Sequence, residues 1–326
     1  MKLQTLLTAA GIATLCMAAV PASAADAYPS KPITLVVPFP PGGATDVVGR
    51  VVAQGLGKQL GQTVIVENRA GAGTAIGASY VARSAPDGYT LMVSSGTTFT
   101  INPAVRSDLP YDPIKSFQPI GIVARTGLIL IANAKVPVHD VASFLAYAKD
   151  PAHPATPYGS FGTGSTANFV GEAFAAAAGI KLTHVPYKGS SPAMADLIGG
   201  QIPFSVDTVA AALPQLKSGK IKAVAISSPA RSSFLPDVPT FADQGYPQIA
   251  MDTWLMLVAP HGLPVDIRTR LEKALAAVVA DPEARKSLEA QGFEVNFQDA
   301  AASSALIAKE LPQMREIAQR ANIKVE

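Results

Sequence analysis

Apolar residues fall into short runs separated by glycine, proline and hydroxyl-rich stretches, and the runs alternate between two periods. "ITLVV" at 33–37 is a continuous apolar run of strand length, whereas Val48, Val51, Val52 and Leu56 then recur at helical spacing. Thr45 is placed to cap that helix. "TVIVE" at 63–67 reads as a second strand, 74–83 as a helix and "YTLMVSS" at 89–95 as a third strand. Strand, helix, strand, helix, strand implies a mostly parallel sheet with helices on its faces.

The alternation resumes in different words. Strands are expected at 128–132, 157–160, 182–187, 202–207 and 221–228, with helices over 138–149 and 166–178. Another helix is expected to be capped by Ser191, with Pro192 at its first position, Met194, Leu197 and Ile198 inside, and Gly199-Gly200 ending it. The last third adds a strand at 253–260, a helix with Ile267, Leu271, Leu275 and Val278 on one side, a short helix after Pro282 and a helix over 300–320. Two β/α units of about 100 residues and a mixed third suggest two lobes. Patterning alone does not decide whether the chain crosses between them once or twice.

The first 24 residues depart from this pattern. Lys2, an apolar stretch from Leu6 to Val20 and the small-residue triplet Ala22-Ser23-Ala24 read as an export signal, with the mature chain starting at Ala25. The apolar stretch falls short of the roughly 20 residues of a spanning helix. Cys16 is the one cysteine, and Leu15 stands where a lipid-anchored protein carries a small residue. The mature chain is therefore expected to have no disulfide, thiol nucleophile or cysteine-bound metal. At roughly 300 residues it buries enough apolar surface to fold without crosslinks.

Charge narrows the function classes. The formal charge is +2, or +1 without Lys2; charged residues make up 15% and no basic cluster exceeds two residues. A nucleic-acid surface concentrates positive charge, and this chain does not. Later apolar runs end within about ten residues, so no further spanning segment is expected.

Three loops carry the candidate chemistry. In "PFPPGGATD" (38–46), prolines stiffen the chain, and Gly42 and Gly43 let the backbone approach a ligand just before a helix start, whose free N–H groups favour an anion. The Gly-Lys-Ser/Thr ending of a nucleotide phosphate loop is absent. "SSGTTFTINP" (94–103) ends the third strand, on the sheet edge where α/β proteins bind ligands; it offers the hydroxyls of Ser94, Ser95, Thr97 and Thr98 and the backbone of Gly96. "YGSFGTGSTANF" (158–169) repeats the arrangement in the second unit, with Gly162, Gly164, Ser165 and Thr166 before an apolar helix and Asn168 in its first turn. The expected geometry is one carboxylate between this helix start and "SSGTT", with "PFPPGG" closing the far side. Asp207 ends "IPFSVD", where it either accepts from a ligand donor or caps the next element. Lys188 either counters a second carboxylate or is solvated, and Phe39 either walls the pocket or packs.

Other signals are weaker. "GAGTAIG" (71–77) resembles a relaxed dinucleotide loop but follows the second strand rather than the first, so close packing is the better account and no cofactor is expected. His139, His153, His184 and His261 lack the short helical spacing of a zinc pair, and "YGSFG" is not a nucleophile elbow. Neither a catalytic residue nor a metal is expected.

Taken in order, "YPSKPITLVVPFPPGGATD" (28–46), "VIVENRAGAGTAIGA" (64–78), "APDGYTLMVSSG" (85–96), "YGSFGTGSTANFVGE" (158–172), "HVPYKGSSPAMADLIGGQIPFSVD" (184–207), "RSSFLPDVPTFADQGYP" (231–247) and "WLMLVAPHGLP" (254–264) span nearly the whole mature chain. The chain resembles the periplasmic solute-binding proteins of tripartite tricarboxylate transporters, the TctC or Bug family. The resemblance implies an α/β type II periplasmic binding protein fold with two lobes, a central cleft and two hinge crossings. Lobe one would comprise 25–124 and 228–326, and lobe two 125–227. It further implies carboxylate contacts, direct or through water, at Phe39, Gly42, Gly43, Ser94, Thr97, Gly164, Ser165, Thr166, Asn168 and Asp207. The implied protein is a periplasmic, non-enzymatic, monomeric receptor without cofactor that passes a mono- or dicarboxylate, an amino acid or an aromatic acid to membrane permease subunits. Two other functions fit the same loops: a sensing receptor without a transporter, and an enzyme acting on a small carboxylate. Few lysines or arginines lie near the loops, which disfavours citrate.

Overall fold

Strand β1 (Ile33–Val37) is buried at four of its five positions, as its unbroken apolar run requires. In the computed structural model, which describes residues 28–325, it sits inside a sheet between β2 (Val64–Asn68) and β3 (Thr90–Ser95), parallel to both. The expected export signal and Cys16 lie outside the described residues. Helix α1 (Ala44–Leu60) follows β1 and packs Val48, Val52 and Leu56 into the core beneath it. Helix α2 (Ala75–Ala82) links β2 to β3, and Gly77 lets it close on the end of β1, since a Cβ there would stand 2.8 Å from Pro38. The "GAGTAIG" segment therefore serves packing here.

Past β3 the hydroxyl loop is shorter than expected. Thr97–Ile101 form a π-helical turn that runs into a one-turn helix, α3 (Asn102–Val105). Strand β4 (Phe117–Asn133) is then 17 residues long, far beyond the expected 128–132. It belongs to two sheets. Residues Phe117 to Gly127 pair with β9 (Asp252–Pro260), while Leu128 to Ala132 pair with β7 (Phe204–Thr208) and Ile129 to Asn133 with β8 (Ile221–Ile226). The chain thus leaves the first lobe along β4 and returns between β8 and β9. Ser227 and Met251 pin the two ends of that return, with Ser227 Oγ donating to the Met251 carbonyl at 2.6 Å.

The second lobe is built from α4 (Val141–Lys149), β5 (Thr156–Ser160), α5 (Thr166–Ala178), β6 (Leu182–Pro186), α6 (Ser190–Gly199), β7, α7 (Val209–Lys217) and β8. Strand β5 runs parallel to β6 and β7. Beyond β9 come α8 (Val265–Ala280), α9 (Pro282–Glu289), β10 (Glu294–Asp299) and α10 (Ala300–Arg320). Strand β10 pairs antiparallel with β4 in the first sheet, and β9 runs antiparallel to both β3 and β4, so each sheet is mixed rather than mostly parallel. Helix α10 joins two cores: Ile307 packs with Trp254 and Phe99, whereas Met314 and Ala318 join the core that holds Phe174 and Phe204.

Two helix starts differ from expectation. Gly43, in extended backbone (φ −88°, ψ 172°), precedes α1, and Thr45 is its second residue. Gly189 (φ 106°) precedes α6, so Ser190 opens the helix and Pro192 is third. Both caps are glycines without a side chain to satisfy the first N–H groups.

Candidate ligand cleft between the lobes

The N-terminal starts of α1, α5, α6 and α7 meet at one narrow cavity, whose space open to water-sized molecules is about 30 Å³, or about 410 Å³ with the adjoining open solvent counted. Gly43, Ala44 and Thr45 of the α1 start and Ser95 and Leu255 line it from the first lobe; Thr166, Gly189, Ser190 and Thr208 line it from the second, with Thr253 between. Phe39 and Phe161 also line it and meet edge-on, centroids 6.4 Å apart. The lobes approach closely: a methyl on Gly42 would stand 3.1 Å from Ser191 Oγ, and one on Gly189 3.1 Å from Pro40. Among the described residues no charged side chain lines the cavity. Its polarity comes from hydroxyls and helix starts, which stabilise a bound anion through N–H donors and the helix dipole.

The four starts differ in what they have left to give. At α5, Ser165 Oγ accepts from the Asn168 N–H (3.2 Å) and Thr97 Oγ1 accepts from the Thr166 N–H (3.2 Å), the second bond joining the lobes. At α7, Thr208 Oγ1 accepts from the Ala211 N–H at 3.1 Å. At α1 and α6 the caps are Gly43 and Gly189. The donors at α1 and α6, without side-chain caps, are the ones an anion finds unused.

Asp46 fixes the loop before α1. Its carboxylate accepts from the Gly42 N–H (3.0 Å), Asn68 Nδ2 (2.8 Å), and Arg50 Nε (2.9 Å) and Nη2 (3.1 Å). Burial pushes this carboxyl up, but the bonds from Arg50, Asn68 and Gly42 outweigh it and hold it below the usual carboxylate range. Asn68 also donates to the Phe39 carbonyl at 3.0 Å, so one cluster holds both ends of "FPPG".

Asp207 is the opposite case. It is fully buried; Oδ1 accepts from Ser190 Oγ (2.8 Å) and the Thr208 N–H (2.7 Å), while Oδ2 has no partner among the described residues. Burial pushes it up to about 6, against the pull of those two bonds and a longer one from the Thr208 hydroxyl (3.5 Å). Thr253, a residue of the cavity wall, likewise has a buried Oγ1 without a partner among the described residues.

Of the ten expected contact residues, Phe39, Gly43 and Thr166 line the cavity. Gly42 (φ 86°) adjoins it, its N–H held by Asp46. Ser94 is turned to Thr98 at 2.6 Å, and Thr97 spends its oxygen on Thr166. Gly164 donates to Asn168 Oδ1 (3.0 Å), and Asn168 Nδ2 donates to the Tyr158 hydroxyl (3.1 Å). Ser165 is the α5 cap, and Asp207 stands one bond behind Ser190. Several expected contacts are thus braces of the loops. Lys188 is exposed outside the cavity wall. His184 is half-buried, pushed down to about 4 by burial and bonded to Ser160 Oγ at 2.7 Å. Thr253, Thr208 and Ser190 were not foreseen as contacts. Ser190 and Thr208 adjoin Ser191 and Asp207, which the sequence marks, but nothing in "DTWLM" marks Thr253.

A single family model spans residues 48–323, that of the tripartite tricarboxylate transporter family receptor. The chain belongs to that family. It is 34% identical over 330 residues to protein BugT of Bordetella pertussis, covering 100% of both chains. A second Rhodopseudomonas palustris relative, solved with adipate, superposes with a TM-score of 0.87 at 32% identity, covering 91% of this chain and 99% of that one. MatC from Rhodopseudomonas palustris, solved with bound malate, gives 0.85 at 30%, covering 89% and 99%. The receptor therefore has the type II periplasmic binding protein fold, two α/β lobes about a cleft, and it is a periplasmic protein rather than an enzyme by family.

Proposed function

We propose that this receptor closes its two lobes on one small mono- or dicarboxylate and delivers it to the permease subunits of a tripartite tricarboxylate-type transporter, acting as a monomer. The observation that carries the reading is the cavity itself. It lies between lobes, starts four helices and has only hydroxyl, backbone and apolar walls. Such walls hold an anion without reacting with it. Malate and adipate in two relatives fit the same chemistry. The missing cationic lining disfavours a trianion, whose charge would have nothing to meet.

The moving bodies in this proposal are 25–124 with 228–326, and 125–227. The contact residues are the ten expected positions, acting directly or by holding the loops, together with Ser95, Ser190, Thr208 and Thr253. Ligand stabilises the closed form by binding it better than the open one.

The test is a thermal-shift screen of the unfolded, dialysed and refolded protein against mono-, di- and tricarboxylates and amino acids. An acid at 100 times its Kd adds about 2.7 kcal/mol, which raises the Tm of a chain this size by about 4 °C. A saturable shift with one class of small acid is expected. A response to citrate alone, or to no acid, refutes the proposal.

A further inference from the structure

Asp207 is a buried carboxyl that the cavity's construction leaves half-satisfied. The three groups that bond its Oδ1, the Ser190 hydroxyl and the Thr208 N–H and hydroxyl, belong to residues of the cavity wall, while Oδ2 has no partner among the described residues. An acid bonded to the Ser190 side of the cavity would be separated from Asp207 by two successive hydrogen bonds, so the two carboxyl groups would stand about 5 Å apart. Two ionised carboxylates that close need a countercharge.

The elements packed against β7 do not supply one. Arg125 of β4 is paired with Asp252 at 3.0 Å, on the far half of that strand. Strand β5 carries no charged residue. Glu172 of α5 accepts from the Tyr158 hydroxyl (2.6 Å), and Asp196 of α6 accepts from the Tyr187 hydroxyl (2.8 Å). Lys217 lies in the last turn of α7, away from the helix start that Thr208 caps. The starts of α6 and α7 are already turned to Asp207 through Ser190 and Thr208.

We infer that the cleft takes up its acid together with one proton, held on Asp207, so that Asp207 is the residue that sets the net charge the site accepts. The acid anion, Asp207 carboxylate and a proton from the buffer give a bound anion beside a neutral Asp207 carboxyl. The proton sits on Oδ1, which then donates to Ser190 Oγ and frees the Ser190 hydroxyl proton to bond the acid, while Oδ2 stays without a partner among the described residues. Burial already pushes the Asp207 carboxyl up to about 6 without a ligand. A like charge about 5 Å away, at an effective dielectric of about 20, raises its proton affinity by on the order of a hundredfold. The inference rests on the carboxylate reading above.

The experiment is isothermal titration of L-malate and of adipate into the refolded receptor near pH 7, in phosphate and in Tris, whose ionisation heats differ. Uptake of about 0.8 proton per site is expected, with affinity falling about twentyfold from pH 6 to pH 8. Asp207→Asn is expected to bind with neither buffer nor pH dependence. If the wild-type receptor binds either acid with no proton uptake, or Asp207→Asn takes up as much as wild type, the inference is overturned and the receptor reading stands. If neither acid binds and the wider screen is also silent, the receptor reading fails and this inference with it. The proton count on wild type decides the matter even where the variant does not fold.

Discussion

Without any ligand, Asp207 should make the protein less stable as the pH rises. The perturbation is Asp207→Asn, which keeps the shape and leaves an oxygen to accept from Ser190 and Thr208. A carboxyl raised from an ordinary 3.8 to about 6 binds its proton more tightly in the folded state. The folded state then holds more protons than the unfolded one between those two values, so stability falls as pH rises through them. The favourable contribution of the protonated group is complete below 3.8 and lost above 6. At about 1.36 kcal/mol per pH unit the whole effect is about 3 kcal/mol, of which about 2 kcal/mol falls between pH 4.5 and 7.5. The assay is urea unfolding of wild type and variant across that range in one mixed buffer. Subtracting the curves removes every other titrating group and any constant cost of the amide. With a slope of about 3 kcal/mol/M, the wild-type midpoint should drop relative to the variant by about 0.7 M. A difference curve flat to within about 0.5 kcal/mol refutes the argument that Asp207 is buried without a countercharge.

Other substitutions separate cavity from scaffold. Asp46→Ala removes the acceptor for Gly42, Arg50 and Asn68 and should cost about 2–4 kcal/mol in urea unfolding, with acid affinity reduced more than tenfold. Thr253→Val removes a buried hydroxyl that has no partner; it should raise the stability of the free protein by about 1 kcal/mol while weakening acid binding about tenfold, read by calorimetry. Gly43→Val meets no backbone strain at φ −88°, but its methyls enter the cavity, so Tm should stay within about 2 °C of wild type while the acid-dependent shift disappears. Thr166→Pro stands at the first helical position, where proline is tolerated, and loses the N–H bonded to Thr97; it should fold and fail to bind.

The regular elements were legible because their burial is regular. The run 33–37 and the stripe Val48, Val52, Leu56 reappear as a strand and a helix that share one core. The last helix keeps its expected bounds, Ala300–Arg320, because Asp299 caps it and its inner stripe is unbroken. The double life of β4 was not legible. Its first half, "FQPIGIVARTG", mixes polar residues and glycines, and only pairing with the distant β9 and β10 makes it a strand. The loops were found from their glycines and hydroxyls, but composition does not say which way a hydroxyl points. Ser94 and Ser95 are neighbours in sequence, yet one bonds Thr98 and the other lines the cavity, as alternation along a strand demands. Thr253 had no signal, since its place in the cavity wall depends on β9 pairing with the distant Thr126 of β4.

These differences explain how a cavity without a cation can select an acid. Many of the hydroxyls in "SSGTT" and "GTGSTAN" bond one another, so that the backbone at each helix start is fixed before a ligand arrives. Preformed donors cost little ordering on binding, and weak dipoles rather than a salt bridge leave the bound acid releasable. An arginine in the wall would have tightened the grip and also tied release to breaking a buried ion pair. In its place the fold puts a carboxyl, Asp207, behind Ser190, which on the inference above takes up a proton as the acid binds. On that proposal a third ionised carboxylate finds no cation in the wall to meet, and Phe39 and Phe161, packed edge-on in the wall, limit the size of the ligand. A receptor built this way discriminates among acids by their charge as much as by their shape.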